Sequence, residues 1–115
     1  MIIKCFFNVY NKLGFGFLEK VYENAFFLEL KKHGLSVEKQ VPIEVIYDNQ
    51  KVGNYFADII VNNKVIIEIK ASESLCEDHE LQLINYLKAT EIEVGLLFNF
   101  GKEPELRRKI FSNRN

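Results

Sequence analysis

Apolar residues in the first third of the chain recur three or four positions apart, which is the spacing of an amphipathic helix. The pattern runs over residues 18–33 and is followed by Gly34, a common helix stop. Its apolar positions are Leu18, Val21, Tyr22, Ala25, Phe26 and Leu28. A shorter helix is predicted over residues 2–12, with Gly14 and Gly16 forming the bend between the two.

The middle of the chain changes to an alternation of apolar and polar residues, which is typical of half-buried strands. Strands are predicted over residues 37–47, 51–61 and 64–70, with turns at residues 48–50 and 62–63. Pro42 lacks the N–H group that a sheet ladder needs, so the first strand is expected at an edge of the sheet. Strands joined by such short turns predict an antiparallel meander.

The second half of the chain alternates between helical and strand patterns. Residues 74–89 predict a helix, and residues 93–100 are nearly continuous in apolar residues, as expected for a buried central or parallel strand. Gly101 and Pro104 precede a predicted short C-terminal helix that ends near Phe111. The predicted order is helix, three strands, helix, strand and helix, which indicates an α/β or α+β fold.

Composition restricts the classes of protein to which this chain can belong. Its 115 residues are 48% hydrophobic, which predicts one packed domain over residues 1–115 and excludes intrinsic disorder. The net charge is −1, which counts against a high-affinity, non-specific binder of nucleic acid. Two basic runs, at residues 31–33 and 102–109, are interpreted as solvated helix faces, with a phosphate-contact role left open.

The cysteines and the N-terminal residues indicate the cellular compartment. Cys5 and Cys76 lack the spacing of a metal-ligand motif and are predicted to be reduced and buried. The first residues show no signal-peptide pattern, and no apolar run approaches the length of a membrane span. We therefore expect a cytoplasmic location and no membrane partner.

Charged residues stand at the ends of two predicted strands, at Asp58 and at Glu68 and Lys70. Side chains alternate along a strand, so Glu68 and Lys70 share one face. A three-residue loop at residues 62–64 would place Asp58 opposite Glu68, whereas a two-residue turn would place them on opposite faces. Two carboxylates and an ammonium group in one place can hold Mg²⁺ or Mn²⁺ beside a phosphodiester. The pattern predicts an odd-length loop or a bulge, and a metal-dependent nuclease core.

Other polar residues have ordinary explanations when they are taken one at a time. Glu19 fits a solvated acid in the first turn of a helix, which the helix dipole favours. Gln82 fits a surface amide, and His79 is a lone imidazole without a second histidine at zinc spacing. Charged residues two apart, as in Glu68 and Lys70, also occur as weak cross-strand pairs. Their meaning therefore depends on the rest of the chain.

An ordered set of short segments resembles the GxxExxY family, a branch of the PD-(D/E)xK nuclease superfamily. The first segment, Gly16-Phe17-Leu18-Glu19-Lys20-Val21-Tyr22-Glu23, is similar to the signature G-x-x-E-x-x-Y. The likeness continues through Gln40-Val41-Pro42, Ala57-Asp58, Glu68-Ile69-Lys70, residues 79–88 and residues 95–100. This resemblance covers nearly the whole chain. It implies a restriction-endonuclease-like α-β-β-β-α-β core, in which a central mixed sheet is flanked by helices.

The resemblance also implies roles for individual residues. The catalytic and supporting positions of the superfamily correspond to Asp58, Glu68, Lys70, Glu19 and Gln82. The implied ligands of Mg²⁺ or Mn²⁺ are Asp58, Glu68, the backbone carbonyl of Ile69, and Glu19. Tyr22 would orient Glu19 or line the pocket, and substrate-binding or supporting roles are implied for His79 and Tyr86.

The resulting hypothesis is a Mg²⁺- or Mn²⁺-dependent nuclease that hydrolyses phosphodiester bonds of nucleic acid, with DNA as the expected partner. One alternative is a catalytically inactive module of the same fold that binds nucleic acid or protein. Another is a purely structural protein, in which Asp58 and Glu68 would lie apart. A homodimer is compatible with each of these interpretations.

Overall fold

The computed structural model describes residues 1–112 and contains a five-stranded mixed sheet with helices on both faces. The helices are α1 (Ile2–Leu13), α2 (Glu19–Lys32) and α3 (Glu77–Lys88). The strands are β1 (Val37–Tyr47), β2 (Gln50–Val61), β3 (Val65–Lys70), β4 (Val94–Phe100) and β5 (Pro104–Ile110). They lie in the order β1-β2-β3-β4-β5; β3 and β4 run parallel, and the other neighbouring pairs are antiparallel. This confirms the predicted α+β class with a restriction-endonuclease-like core.

Two apolar clusters hold the helices against the sheet, one on each face. Helices α1 and α2 cover the first face, where Phe6 and Phe26 pack against Phe98 at ring-centroid distances of 4.6 and 5.1 Å. Helix α3 covers the second face with Leu83 and Leu87. Consecutive residues of β3 and β4 alternate between the two clusters, because neighbouring side chains on a strand point to opposite faces. The nearly continuous apolar sequence of β4 follows from its burial on both faces.

The loop between β2 and β3 sets the register of the meander. Val61 pairs with Val65, so residues 62–64 form a three-residue loop, as predicted. Asn62 and Asn63 have φ angles of 53° and 54°, in the left-handed region that asparagine tolerates better than most residues. The odd-length loop therefore places the two strand ends in the register that the candidate chemistry requires.

The C-terminal segment is a strand, so the prediction of a short helix ending near Phe111 was wrong. Strand β5 pairs antiparallel with β4 along the edge that β3 leaves open. Residues such as Leu106 and Arg107 favour a helix locally, but tertiary context overrides that preference. The buried strand β4 would otherwise present backbone groups without partners at this edge. Leu106 also packs against the apolar cluster under α1 and α2.

The structure confirms some of the predictions made for single residues and contradicts others. Pro42 lies in β1, an edge strand, as predicted. Both thiols are free; Cys5 is buried, but Cys76 is exposed, so its predicted burial was wrong. Cys76 has extended backbone and caps α3, which explains why this helix begins at Glu77 rather than at residue 74. Over residues 1–112, none of the helices has both the length and the apolar character needed to cross a membrane.

Candidate active site

Two carboxylates meet where strands β2 and β3 separate. The regular pairing of these strands runs from Val61 and Val65 to Ile59 and Ile67 and stops before the next pair of residues. There the backbone N–H of Asp58 donates a hydrogen bond of 2.8 Å to Oε2 of Glu68. In return, the backbone N–H of Ile69 donates a hydrogen bond of 2.8 Å to Oδ2 of Asp58. Each acid is therefore held by the backbone of the opposite strand.

The protonation of both acids is altered by their position. Burial, followed by the negative charge of Asp58, raises the pKa of Glu68 to about 8. Burial also raises the pKa of Asp58 to about 6, and the charges of Glu23 and Glu19 add to this effect. Lys70 lowers the pKa of both acids through its positive charge, but it does not compensate for burial and repulsion. The pair consequently has an excess of negative potential when both acids are ionised.

The end of β3 beyond Lys70 is fixed by a buried amide. Asn99 on β4 is fully buried, and its side-chain oxygen accepts a hydrogen bond of 2.9 Å from the backbone N–H of Ser72. Its amide nitrogen donates bonds of 3.0 Å to the carbonyl of Ser72 and to Oε1 of Glu105 on β5. Asn99 is the register partner of Lys70 in the parallel pair. The lysine is therefore carried on a backbone segment that is tied to two neighbouring strands.

Helix α2 contributes two acids, one predicted and one missed. Glu19 is exposed in the first turn, and its charge raises the pKa of both Asp58 and Glu68. Glu23 stands one helical turn later and is only 5% exposed. Among the charged residues that raise the pKa of Asp58, Glu23 has a larger effect than Glu19. The spacing of four residues was a usable sequence signal, because residues four apart share a helix face.

Gln40 on β1 connects the buried Glu23 to the half-buried Asp58 and was also missed. Its Nε2 donates a hydrogen bond of 2.9 Å to Oε1 of Glu23 and lies 3.4 Å from Oδ1 of Asp58. It has a φ of 50°, in the left-handed region that costs a non-glycine residue energy, and such strain is concentrated at functional sites. The segment Gln40-Val41-Pro42 already contributed to the family resemblance, but nothing in the local sequence indicated that its amide reaches Asp58.

The side chain of Tyr22 contacts the loop before α2 and does not face an open pocket. Its hydroxyl donates a hydrogen bond of 2.6 Å to the carbonyl of Gly14 and accepts one of 3.2 Å from the N–H of Phe17. The ring is fully buried and stacks on Phe100 at a centroid distance of 4.4 Å. The expectation that Tyr22 lines the pocket is therefore wrong. Its contacts stabilise the loop that leads into Glu19.

Two of the predicted residues on helix α3 line a cleft, although neither Asp58 nor Glu68 is among its lining residues. Gln82 and Tyr86 line this cleft of about 770 Å³, which lies between α3 and the outer part of the β1–β2 hairpin. Burial and the negative charges of Glu68 and Asp58 raise the pKa of Tyr86 to about 12. His79 instead accepts a hydrogen bond of 3.2 Å at Nδ1 from the N–H of Cys76 and caps the helix. The geometry thus associates Tyr86, but not His79, with the acids.

The family assignment agrees with this geometry. A sequence profile of the PD-(D/E)XK nuclease superfamily matches residues 1–110, and the chain belongs to that superfamily. The structure is also similar to one described as "Crystal structure of SSO0001", with a TM-score of 0.64 and 21% sequence identity. That match covers 83% of this chain and 52% of the other, so this chain spans about half the length of that structure. No curated protein is significantly similar to the chain.

Proposed function

We propose that this protein is a metal-dependent nuclease of the GxxExxY branch that hydrolyses phosphodiester bonds of nucleic acid. The observation that carries the proposal is the close approach of Asp58 and Glu68 at the separation of β2 and β3. A purely structural protein was expected to keep these two acids apart. Lys70 follows on the face of Glu68, which completes the acid and lysine set of the superfamily.

The residues at this place fit a hard divalent cation. Asp58 and Glu68 offer carboxylate oxygens whose repulsion Lys70 does not offset, and Mg²⁺ and Mn²⁺ prefer oxygen ligands. We propose that these two acids and the carbonyl of Ile69 hold Mg²⁺ or Mn²⁺, and that Glu19 joins them by a movement of its side chain or through a bound water, because the three carboxylates do not all lie within 4.8 Å of one another. When bound, such an ion acidifies water and polarises the scissile phosphate.

The side chains of the chain itself would orient and stabilise the reacting groups. Lys70 would orient the attacking water and offset the negative charge that develops on the phosphate in the transition state. Gln82 lines the same cleft as Tyr86 and would position a phosphate or a water. Gln40 and Glu23 would keep the carboxylate of Asp58 in place through the amide bridge.

DNA is the proposed substrate, bound through local contacts rather than a broad field. The net charge of −1 provides little long-range attraction for a polyanion. The cleft between α3 and the hairpin is a suitable entry because the charges of both acids reach Tyr86 on its wall and because Lys88 also lines it. We therefore expect affinity for DNA to depend strongly on the divalent ion.

A cleavage assay tests the proposal directly. The protein is incubated with single-stranded, double-stranded and branched DNA and RNA in Mg²⁺, Mn²⁺ or EDTA. We expect cleavage with the metals, none in EDTA and none for Asp58→Ala. The matched control is Glu38→Gln, which changes an exposed acid on β1 and should cleave like the parent. Metal-independent cleavage, or full activity of Asp58→Ala, would contradict the mechanism.

A second measurement separates the enzyme from an inactive binding module of the same fold. Lys70→Ala should bind Mn²⁺ in isothermal titration with little change, since the carboxylates remain, but should lose cleavage by at least about 100-fold. Lys64→Ala, which removes an exposed lysine just before β3, is the control. A parent protein without affinity for Mn²⁺ would favour the inactive module.

A further inference from the structure

A second cluster of potential metal ligands lies outside the candidate active site, between helices α1 and α2. It comprises Cys5 on α1, Glu29 on α2 and His33 at the C-terminal end of α2. One donor atom from each residue lies within 4.8 Å of the others. Over residues 1–112, no other group of three such side chains meets this criterion. The thiol, carboxylate and imidazole thus form a compact set that the nuclease mechanism does not use.

The geometry within the cluster is close to that of a coordinated ion. Glu29 and His33 are four residues apart on α2, and Oε2 of the acid lies 3.1 Å from Nε2 of the imidazole. Ligands of a tetrahedral Zn²⁺ with ordinary bond lengths are about 3.3–3.6 Å apart. The thiol of Cys5 lies 4.0 Å from the backbone carbonyl of Glu29, on the same turn of α2. Donor atoms that lie up to 4.8 Å apart would have to approach by about an ångström to reach these separations.

The surroundings of the cluster also resemble those of protein metal sites. Asn8, one turn after Cys5 on α1, donates a hydrogen bond of 3.0 Å to Oε2 of Glu29 and so orients the carboxylate. Such hydrogen bonds to ligands are a regular feature of metal centres. Cys5 is buried, whereas His33 is partly exposed, which leaves a side open to solvent for a fourth ligand.

We propose that Cys5, Glu29 and His33 bind a borderline-soft divalent cation of the Zn²⁺ type, with water as the fourth ligand. The mixed sulfur, nitrogen and oxygen donors suit such an ion and do not suit Mg²⁺. The bound ion would link α1 to α2 and stabilise the packing of both helices on the sheet. The two metal sites would therefore differ in ion preference, and the zinc-type site stands independently of the proposed nuclease activity.

Cobalt spectroscopy tests this site without any measure of nuclease activity. The chain has two cysteines, so Cys76→Ser leaves Cys5 as its single thiol. We expect Co²⁺ added to this variant to produce thiolate-to-metal charge-transfer absorption and the visible bands of tetrahedral Co²⁺. Both should disappear in the double variant Cys5→Ser, Cys76→Ser. Asp58→Asn in the same background should leave the spectrum unchanged, because oxygen ligands give no sulfur charge transfer.

Two variants that retain the thiol make the test independent of the folding of Cys5→Ser. His33→Gln lies at a partly exposed helix end, and it should weaken Co²⁺ binding at least about tenfold. Asn8→Ala should weaken it about tenfold, through loss of the hydrogen bond to Glu29. In an Asp58→Asn background, where the acid pair of the candidate active site is broken, Zn²⁺ but not Mg²⁺ should raise the melting temperature, and addition of His33→Gln should remove that rise. No charge-transfer band at saturating Co²⁺, or parental affinity in His33→Gln, would overturn the proposal.

Discussion

The pKa of Glu68 depends strongly on the residues that surround its side chain. Its carboxylate is buried at the end of β3 and faces a second acid, Asp58, which also accepts a hydrogen bond from the backbone of β3. An acid with a raised pKa binds its proton more tightly in the folded chain than in the unfolded chain. Ionisation of Glu68 therefore opposes folding unless a cation is bound.

The pH dependence of stability follows from the raised pKa of Glu68. In EDTA, the stability that its proton provides is fully present below about pH 4.5 and is lost as the pH rises through about 8. Glu68→Gln removes this ionisation, so its free energy of unfolding at pH 8 should exceed that of the parent by about 2–4 kcal/mol. Urea unfolding at pH 5 and pH 8 measures the difference. An identical pH slope in the parent and in Glu68→Gln would contradict the burial of an ionisable Glu68.

Gln40 provides a second prediction for a single residue. Removal of its amide leaves the buried Glu23 with one polar partner fewer, which should cost about 1–2 kcal/mol in Gln40→Ala. Gln40→Gly loses the same amide but adopts the positive φ more easily, so it should be about 1 kcal/mol more stable than Gln40→Ala. Both variants should cleave more slowly than the parent. Chemical unfolding and initial cleavage rates check this, and parental rates in both variants would remove Gln40 from the site.

Helix α3 packs very closely against strand β4 at one position. A Cβ atom added at Gly95 on β4 would lie 2.7 Å from Cδ1 of Leu83, which is fully buried on α3. The helix therefore approaches the sheet so closely that a side chain at residue 95 would displace that of Leu83. This close packing holds α3 in place, and with it Tyr86, whose pKa burial and the charges of Glu68 and Asp58 raise.

The close packing of α3 predicts a large effect of a small substitution. Gly95→Ala should lower the free energy of unfolding by about 1–3 kcal/mol, because the added methyl group overpacks the contact with Leu83. The same Gly95→Ala change should lower the free energy of unfolding by less when it is made in a Leu83→Ala chain, because the crowded contact is then absent. Gly53→Ala is the control, since its added Cβ would meet neighbours at ordinary distances of 3.4–3.7 Å. Additive effects of Gly95→Ala and Leu83→Ala would show that the two positions do not interact.

The whole molecule combines a localised site with a nearly neutral surface. Asp58, Glu68 and Lys70 interact electrostatically at one place, while the net charge is −1. A polyanion such as DNA therefore meets no general attraction, and two buried acids add local repulsion. Divalent ions would reverse the sign of the potential at the site.

DNA binding should accordingly depend on metal at the scale of the whole protein. In EDTA at about 0.15 M salt, we expect binding no tighter than typical non-specific affinity, with a Kd weaker than about 1 µM. Addition of Mn²⁺ to the cleavage-deficient Lys70→Ala protein should tighten binding at least tenfold. Fluorescence anisotropy with labelled duplex DNA measures both values. Equal affinity in EDTA and Mn²⁺ would indicate that DNA is held at another surface.

Periodicity and turn chemistry sufficed to predict most of the local structure of this protein. Helical spacing gave α2, and alternation gave the meander. The asparagines at residues 62 and 63 favoured a three-residue loop, because asparagine tolerates positive φ angles. That loop length in turn predicted that Asp58 and Glu68 face each other. These features depend on interactions between residues close in sequence, which leave a pattern in the sequence itself. The membership of the nuclease superfamily was also visible from ordered short segments.

Other features required the tertiary structure, because they depend on contacts between distant residues. The segment around Leu106 forms β5 only because β4 presents an edge to pair with. The bridge from Glu23 through Gln40 to Asp58 joins three elements, and no spacing in the sequence encodes it. Burial likewise decides that Glu68 holds its proton to about pH 8. The order of residues determined most of the elements and the predicted acids, whereas the packing of the elements decided the edge strand β5, the environment of those acids and hence their chemistry.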